Sequence, residues 1–200
     1  MTIFFLPGAG ASPMFWSAVA DQLGPGEDMH FFAWPGLGNE LADPSVQGID
    51  DLVQIVLTAL ETETEPADLV AQSMGGYIAM KVALAAPGQI RRIVLAVTSA
   101  GVPMGKLGAS DWRASYQASF PNAAPWIGEP TEDLSARLAG VAIPCLLIWG
   151  DADPISPVAV GERLAELLPD ARLHVLAGAD HDLAITHAAE VAGLIDNHLR

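Results

Sequence analysis

The sequence predicts an α/β protein built on one open, mostly parallel sheet with helices packed on its faces. Three observations carry that prediction. Short apolar, β-favouring runs alternate with longer stretches of helical periodicity. Four of those runs are nearly continuous in apolar residues, as strands buried on both faces require. The chain has 200 residues, of which 51% are hydrophobic and 16% charged. That is enough for one substantial core and too little for two, so residues 1–200 read as a single domain.

The strand candidates are Thr2 to Leu6, Met29 to Ala33, Leu69 to Gln72, Arg92 to Val97, Ala142 to Trp149 and Arg172 to Leu176. Between them lie the helix candidates. Pro13 to Leu23 follows Ser12, an N-cap residue with proline directly behind it. Asp51 to Leu60 aligns Leu52, Ile55, Val56 and Leu60 on one face. Met74 to Ala85 follows a serine and stops at Pro87-Gly88, and Pro157 to Leu168 stops at Pro169. Asp182 to Leu199 closes the chain. One stretch breaks the rhythm: Ser99 to Val141, rich in Pro, Gly and Ala, carries Trp112, Tyr116, Phe120 and Trp126. A crossover needs far fewer residues, so residues of about 100–141 are expected to form a short lid over a pocket at the carboxyl edge of the sheet. Trp112, Tyr116 and Trp126 are its candidate pocket residues. The competing expectation is a long crossover whose aromatics fill core gaps.

Composition narrows the function classes. Twenty-four acidic residues against 9 basic ones give a net charge of -15, which repels phosphate backbones and anionic lipid surfaces. Neither a nucleic-acid nor a membrane partner is expected. A single cysteine, Cys145, allows no intrachain disulfide and no cysteine-rich metal site. The start, Met1-Thr2-Ile3-Phe4-Phe5-Leu6, lacks a basic region and meets Pro7-Gly8 at once, so it reads as a strand rather than a secretory signal. A cytoplasmic protein is the expectation. The histidines show neither H-x-x-x-H nor H-x-H spacing, and no metal is expected. Gly8-Ala9-Gly10-Ala11 follows a strand, as a dinucleotide loop would, yet lacks that loop's third glycine and acidic partner, so no cofactor is expected.

The chemistry gathers at three strand ends. Ala71-Gln72-Ser73-Met74-Gly75 leads from a buried strand into a helix through a turn of small residues. A nucleophile on so sharp a turn needs small neighbours two residues away, which Ala71 and Gly75 supply. The Met74 amide, at the helix start, would point toward an oxyanion. Ser73 could equally be a plain helix cap. A serine hydroxyl needs a base, and the base needs an orienting carboxylate. Trp149-Gly150-Asp151-Ala152-Asp153 and Gly178-Ala179-Asp180-His181 each follow a later strand, so a parallel sheet brings both to the edge that carries Ser73. His174 lies in a strand, His187 and His198 on the last helix, and His30 in a strand far from Ser73; all four read as structural or surface residues.

With those residues in hand, the sequence resembles the α/β-hydrolase superfamily over essentially its whole length, in the chain order Ser, Asp, His. The W-G-x-x-D motif implies Asp153 rather than Asp151 as the acid of a catalytic triad, and G-x-D-H implies His181 as base. Pro7-Gly8-Ala9 stands where the family has its H-G-x oxyanion loop, implying the Ala9 amide as second oxyanion donor beside Met74, with proline in place of the usual histidine. Trp34-Pro35-Gly36-Leu37-Gly38 is similar to the family's P-G-x-G turn. Family members begin with a β-hairpin, whereas this chain starts on the oxyanion strand; the resemblance then implies a reduced α/β-hydrolase fold of about six strands. It further implies a serine hydrolase of the carboxylesterase type. The apolar lid and scarce cations favour a small, uncharged hydrophobic ester substrate, with Lys106 and Arg113 keeping an anionic thioester in view. The G-x-D-H ending and Trp16 are also similar to the plant methylesterase and hydroxynitrile lyase branch, whose lyases carry Lys after the His; Asp182 stands here and argues against cyanogenic cleavage. Thioester or C–C bond hydrolysis on the same triad remains an alternative, as does a non-catalytic binding protein. Oligomeric state is left open.

Overall fold

The computed structural model describes residues 2–24 and 28–200; Met1 and residues 25–27 lie outside the described residues. The strands are β1 (Thr2–Leu6), β2 (Asp28–Phe31), β3 (Ala67–Gln72), β4 (Ile90–Ala96), β5 (Cys145–Gly150) and β6 (Ala171–Leu176). They form one sheet in the order β2-β1-β3-β4-β5-β6, and every neighbouring pair is parallel. The central strands are the apolar ones. Ile3, Phe4, Phe5 and Leu6 of β1 are buried, as is every residue of β3 and β5. The edge strands β2 and β6 are largely exposed, which explains their mixed composition.

The helices are α1 (Ser17–Ala20), α2 (Ile49–Leu60), α3 (Met74–Ala85), α4 (Arg113–Ser119), α5 (Ser135–Leu138), α6 (Val158–Leu167), α7 (Leu183–Thr186) and α8 (Ala188–Leu199). Most fall where the sequence places them, with three instructive differences. The segment after Ser12 opens as a 3-10 turn, Pro13–Trp16, before α1. Strand β5 begins only at Cys145, because Pro144 has no amide to give the ladder. The closing helix is broken at His187: Thr186 Oγ1 hydrogen bonds with the Asp182 carbonyl at 3.3 Å and with His187 Nδ1 at 2.9 Å, a side-chain competition that favours a local stop.

Register then decides where the chemistry sits. Leu6 pairs with Ala71, Gln72 with Ala96, and Gly150 with Leu176. The loops after β1, β3, β5 and β6 therefore emerge side by side at the carboxyl edge of the sheet, where open α/β folds place their ligands. Under that edge lie three fully buried tryptophans, Trp16, Trp34 and Trp149. Each indole N–H is satisfied: Trp16 donates to the Leu6 carbonyl (3.3 Å), Trp34 to the Pro7 carbonyl (2.8 Å) and Trp149 to Ser156 Oγ (3.3 Å).

Candidate active site

Ser73 occupies the turn between β3 and α3 with φ 52° and ψ −122°. A non-glycine residue there stores on the order of 1–3 kcal/mol of strain, so its surroundings must impose the conformation. Three bonds do so. The Ser73 amide donates to the Ala96 carbonyl at 3.0 Å, the Gly76 amide donates to the Ser73 carbonyl at 3.0 Å, and Thr98 Oγ1 donates to that same carbonyl. The small residues of the turn have a steric reason. A Cβ on Gly75 would stand 2.5 Å from the carbonyl oxygens of Leu6 and Pro7, and one on Gly76 would meet the Thr98 side chain. Ser73 makes no capping bond to the helix behind it, unlike an ordinary N-cap serine.

Its hydroxyl instead lies 2.9 Å from His181 Nε2, and His181 Nδ1 lies 2.7 Å from Asp153 Oδ2. Asp153 is 4% exposed, and its second oxygen accepts the Ile155 amide at 2.7 Å. The side chains of Ser73, His181 and Asp153 are thus brought together. Asp151 and Asp180 are not part of that chain of contacts. Asp151 Oδ1 accepts the Gly178 amide at 2.6 Å, tying the loop after β5 to the loop after β6, and Asp180 Oδ1 accepts the Asp182 amide at 3.0 Å.

Ala9 and Met74 both line the cavity that holds Ser73, and among the described residues neither backbone amide donates to a protein acceptor. The cavity has a volume of about 1070 Å³. Trp112, Tyr116 and Trp126 line it together with Ser73 and His181, so the segment between β4 and β5 does face the site. Tyr116 is more than an apolar wall. Its hydroxyl donates to the Ala9 carbonyl at 2.8 Å and accepts the Gly38 amide at 3.0 Å, while burial pushes its phenol above the ordinary tyrosine value.

Several site residues have supporting roles that their sequence positions do not reveal. Gln72, 3% exposed, donates from Nε2 to the His181 carbonyl at 3.2 Å and so fixes the backbone that presents the imidazole. Thr98 clamps the Ser73 turn, and Trp34 reaches the carbonyl of Pro7 in the loop that carries Ala9. Their partners are 25 to 109 positions away, so only a buried polar residue beside a motif, such as Gln72, could have hinted at them.

The alpha/beta hydrolase family model matches residues 3–194. The chain belongs to that family. Similar curated proteins are a pimeloyl-[acyl-carrier protein] methyl ester esterase of Chromobacterium violaceum and a 2-hydroxymuconate semialdehyde hydrolase of Pseudomonas sp. The first is 26% identical, covering 98% of this chain and 93% of its own length. The second is 30% identical, covering 72% of this chain and 65% of its own length. A bifunctional biotin-biosynthesis protein of Teredinibacter turnerae is 24% identical, and the chain spans 44% of its length. Among solved structures, the meta-cleavage product hydrolase of Pseudomonas fluorescens superposes with a TM-score of 0.82 at 19% identity, covering all of this chain and 90% of that one. Family and relatives together make this chain a hydrolase enzyme.

Cys145 is buried in β5, where burial and the nearby Asp170 push its thiol up to about 12, well away from a reactive thiolate. Among the described residues no group of three or more His, Cys, Asp or Glu could hold a metal ion. No helix of the described residues is long and apolar enough to cross a membrane. Arg113, the cation lining the cavity, is engaged by Asp111 at 3.2 Å and by the Gly128 carbonyl at 3.1 Å.

Proposed function

We propose that this hydrolase cleaves a small, uncharged, hydrophobic carboxylic ester through an acyl-enzyme on Ser73. The observation that carries the reading is the unbroken series Ser73 Oγ, His181, Asp153, with its contacts of 2.9 and 2.7 Å opening on one cavity. Ser73 Oγ attacks the acyl carbonyl while His181 Nε2 takes its proton. Asp153, accepting from Nδ1–H, fixes the imidazole tautomer and stabilises the imidazolium. The carbonyl oxygen becomes an oxyanion held by the Ala9 and Met74 amides, whose lack of protein acceptors leaves them free for it. His181 then gives its proton to the leaving alcohol. Water, deprotonated by the same His181, attacks the acyl carbon, and collapse of the second oxyanion returns the acid and the free serine.

The walls favour an apolar substrate. Trp112, Trp126 and Phe15 line the cavity, and besides Arg113 its charged lining residues are the acids Asp111, Glu129 and Asp182. An anionic acyl group would meet that charge without a free cation to answer it. Esterase names among the relatives support the same chemistry. A second reading, C–C bond hydrolysis on the same triad, is favoured by the 30% identical 2-hydroxymuconate semialdehyde hydrolase.

The test is fluorophosphonate labelling with peptide mapping beside a p-nitrophenyl ester series of increasing acyl length. Label on Ser73 and turnover that peaks at a short acyl chain are the expected results, both lost in Ser73→Ala with the fold intact. Label on Ser73 without ester turnover, together with cleavage of a meta-ring-fission product, would replace the ester reading by the C–C one. A folded protein that takes no label would leave a binding role instead.

A further inference from the structure

We propose that Tyr116 is a positioning residue for the oxyanion hole, so that the segment between β4 and β5 sets the geometry in which the Ala9 amide works. The inference rests on the ester-hydrolase reading of Ser73, since it assigns how one of that reaction's donors is aimed.

The loop after β1 is poorly restrained by its own sequence. Ala9 stands between Gly8 and Gly10, residues with wide backbone freedom. The structure compensates from outside, one carbonyl after another. The Leu6 carbonyl accepts from Trp16 Nε1 at 3.3 Å, Pro7 from Trp34 Nε1 at 2.8 Å, Gly8 from the Ala11 amide at 3.0 Å, and Ala9 from the Tyr116 hydroxyl at 2.8 Å. Two of these restraints act on Ala9 directly. A trans peptide is planar with its N–H and C=O on opposite sides, so holding the Gly8 carbonyl toward Ala11 turns the Ala9 N–H the other way. Tyr116 fixes the next plane, on the far side of the Ala9 Cα. With both planes held, the Ala9 amide has one direction.

Of the four donors, Tyr116 is set apart by its origin. Trp16, Trp34 and Ala11 belong to the first part of the chain, whereas Tyr116 lies on α4, 107 positions from Ala9. That helix reaches the loop as part of a docked unit. Tyr116 also accepts the Gly38 amide at 3.0 Å, the Ala124 amide donates to the Gly36 carbonyl at 2.7 Å, and the Tyr116 ring is wedged between Trp112 (5.5 Å) and Phe120 (5.0 Å). Trp112, Tyr116 and Phe120 also wall the cavity. Seating of α4 over the substrate and orientation of the oxyanion donor are therefore one event, linked by a single phenolic oxygen.

Tyr116→Phe removes that oxygen and keeps the ring. The expected result is a fall in kcat of about tenfold, the effect of one hydrogen bond, with KM for a short p-nitrophenyl ester unchanged. Affinity for a trifluoromethyl ketone, which forms an oxyanion adduct with the serine, should weaken by a similar factor. A role confined to packing would lower the melting temperature and leave both readouts at wild-type values for the folded fraction. Tyr116→Leu is the companion variant: full activity in Tyr116→Phe with loss only in Tyr116→Leu would make the ring the operative part and overturn the proposal. Wild-type protein that neither labels at Ser73 nor turns over would remove the ester reading itself, and the Tyr116 role with it. Active wild type with an unimpaired Tyr116→Phe would remove the Tyr116 role alone.

Discussion

Two aspartates are buried at opposite edges of this sheet, and they have been given different partners. Asp68 is the second residue of β3, at the amino edge; Asp153 follows β5 at the carboxyl edge, and both side chains are fully buried. Asp68 meets Arg91, which grips it through Nε at 2.9 Å and through a second guanidinium nitrogen, and which also donates to the Leu199 carbonyl at 2.7 Å. Asp153 meets His181 at 2.7 Å, and the other ring nitrogen of that histidine faces Ser73 and the cavity. A guanidinium never gives up its proton, so the first pair is a fixed clasp between β3, β4 and the end of α8. An imidazole can take a proton on one ring nitrogen while the other stays hydrogen-bonded to a carboxylate, so the second pair is built to relay a proton. The partner, rather than the buried carboxylate, separates a brace from a candidate catalytic group.

The largest expected effect lies at the carboxyl edge. Asp153→Asn preserves shape but stabilises the wrong imidazole tautomer, and kcat should fall by about 10⁴ with little change in melting temperature. Steady-state kinetics beside thermal melting checks it; a loss traceable to unfolding would dissolve the contrast. Arg91→Met should do the reverse, costing about 3–5 kcal/mol of stability by stranding a buried charge while the folded fraction keeps its kcat. The sign of its pH dependence is fixed. Burial already raises the Asp68 carboxyl above its ordinary value, with Arg91 opposing, so removal of Arg91 raises it further. A raised carboxyl binds its proton more tightly in the folded state, so the stability lost in the variant should return on acidification from pH 7 toward pH 5. Urea midpoints at the two pH values measure this. Asp68→Asn is expected to cost less, about 1–2 kcal/mol, because Arg91 is 31% exposed and can turn its charge toward water.

The same contrast explains what was legible in the sequence. Apolar runs and glycine or proline stops mark the strands and most helices, because those signals are local. The Ser73, Asp153 and His181 positions are legible because each lies in the turn or loop that follows a strand of a parallel sheet, which converts sequence order into spatial coincidence. The ties that hold them are not legible. Thr98 on the Ser73 carbonyl, Gln72 on the His181 carbonyl and Tyr116 on the Ala9 carbonyl are single hydrogen bonds across folded distance, with no periodicity to announce them. The Asp68–Arg91 clasp is hidden for the same reason, as two charged residues at strand starts that look solvent-facing until the sheet and α8 close over them. The break at His187 escapes notice too, since Thr186 and His187 interrupt no apolar pattern.

The smallest effect tests whether the amino edge is as inert to protons as a fixed clasp requires. His198, on α8, lies near both Asp68 and Arg92, and its Nε2 is buried without a hydrogen-bond partner. Burial first, and then the Arg92 charge, hold its imidazole below the ordinary histidine value, against opposing pulls from the backbone of Ile93 and Pro144 and from the Asp68 charge. A lowered folded value means that the unfolded chain binds the proton more readily. Stability should therefore be full above about pH 6.5 and fall as the pH drops below it, toward the folded value. His198→Gln removes the titration and should flatten that part of the profile by a fraction of a kcal/mol, less than any of the changes above. The measurement is the urea midpoint of wild type and variant between pH 7.5 and 5.5. Parallel profiles would mean that His198 adds nothing to the pH response. Convergence at low pH would mean that the amino edge carries one proton-sensitive group, a residue that weakens the fold on acidification without touching Ser73.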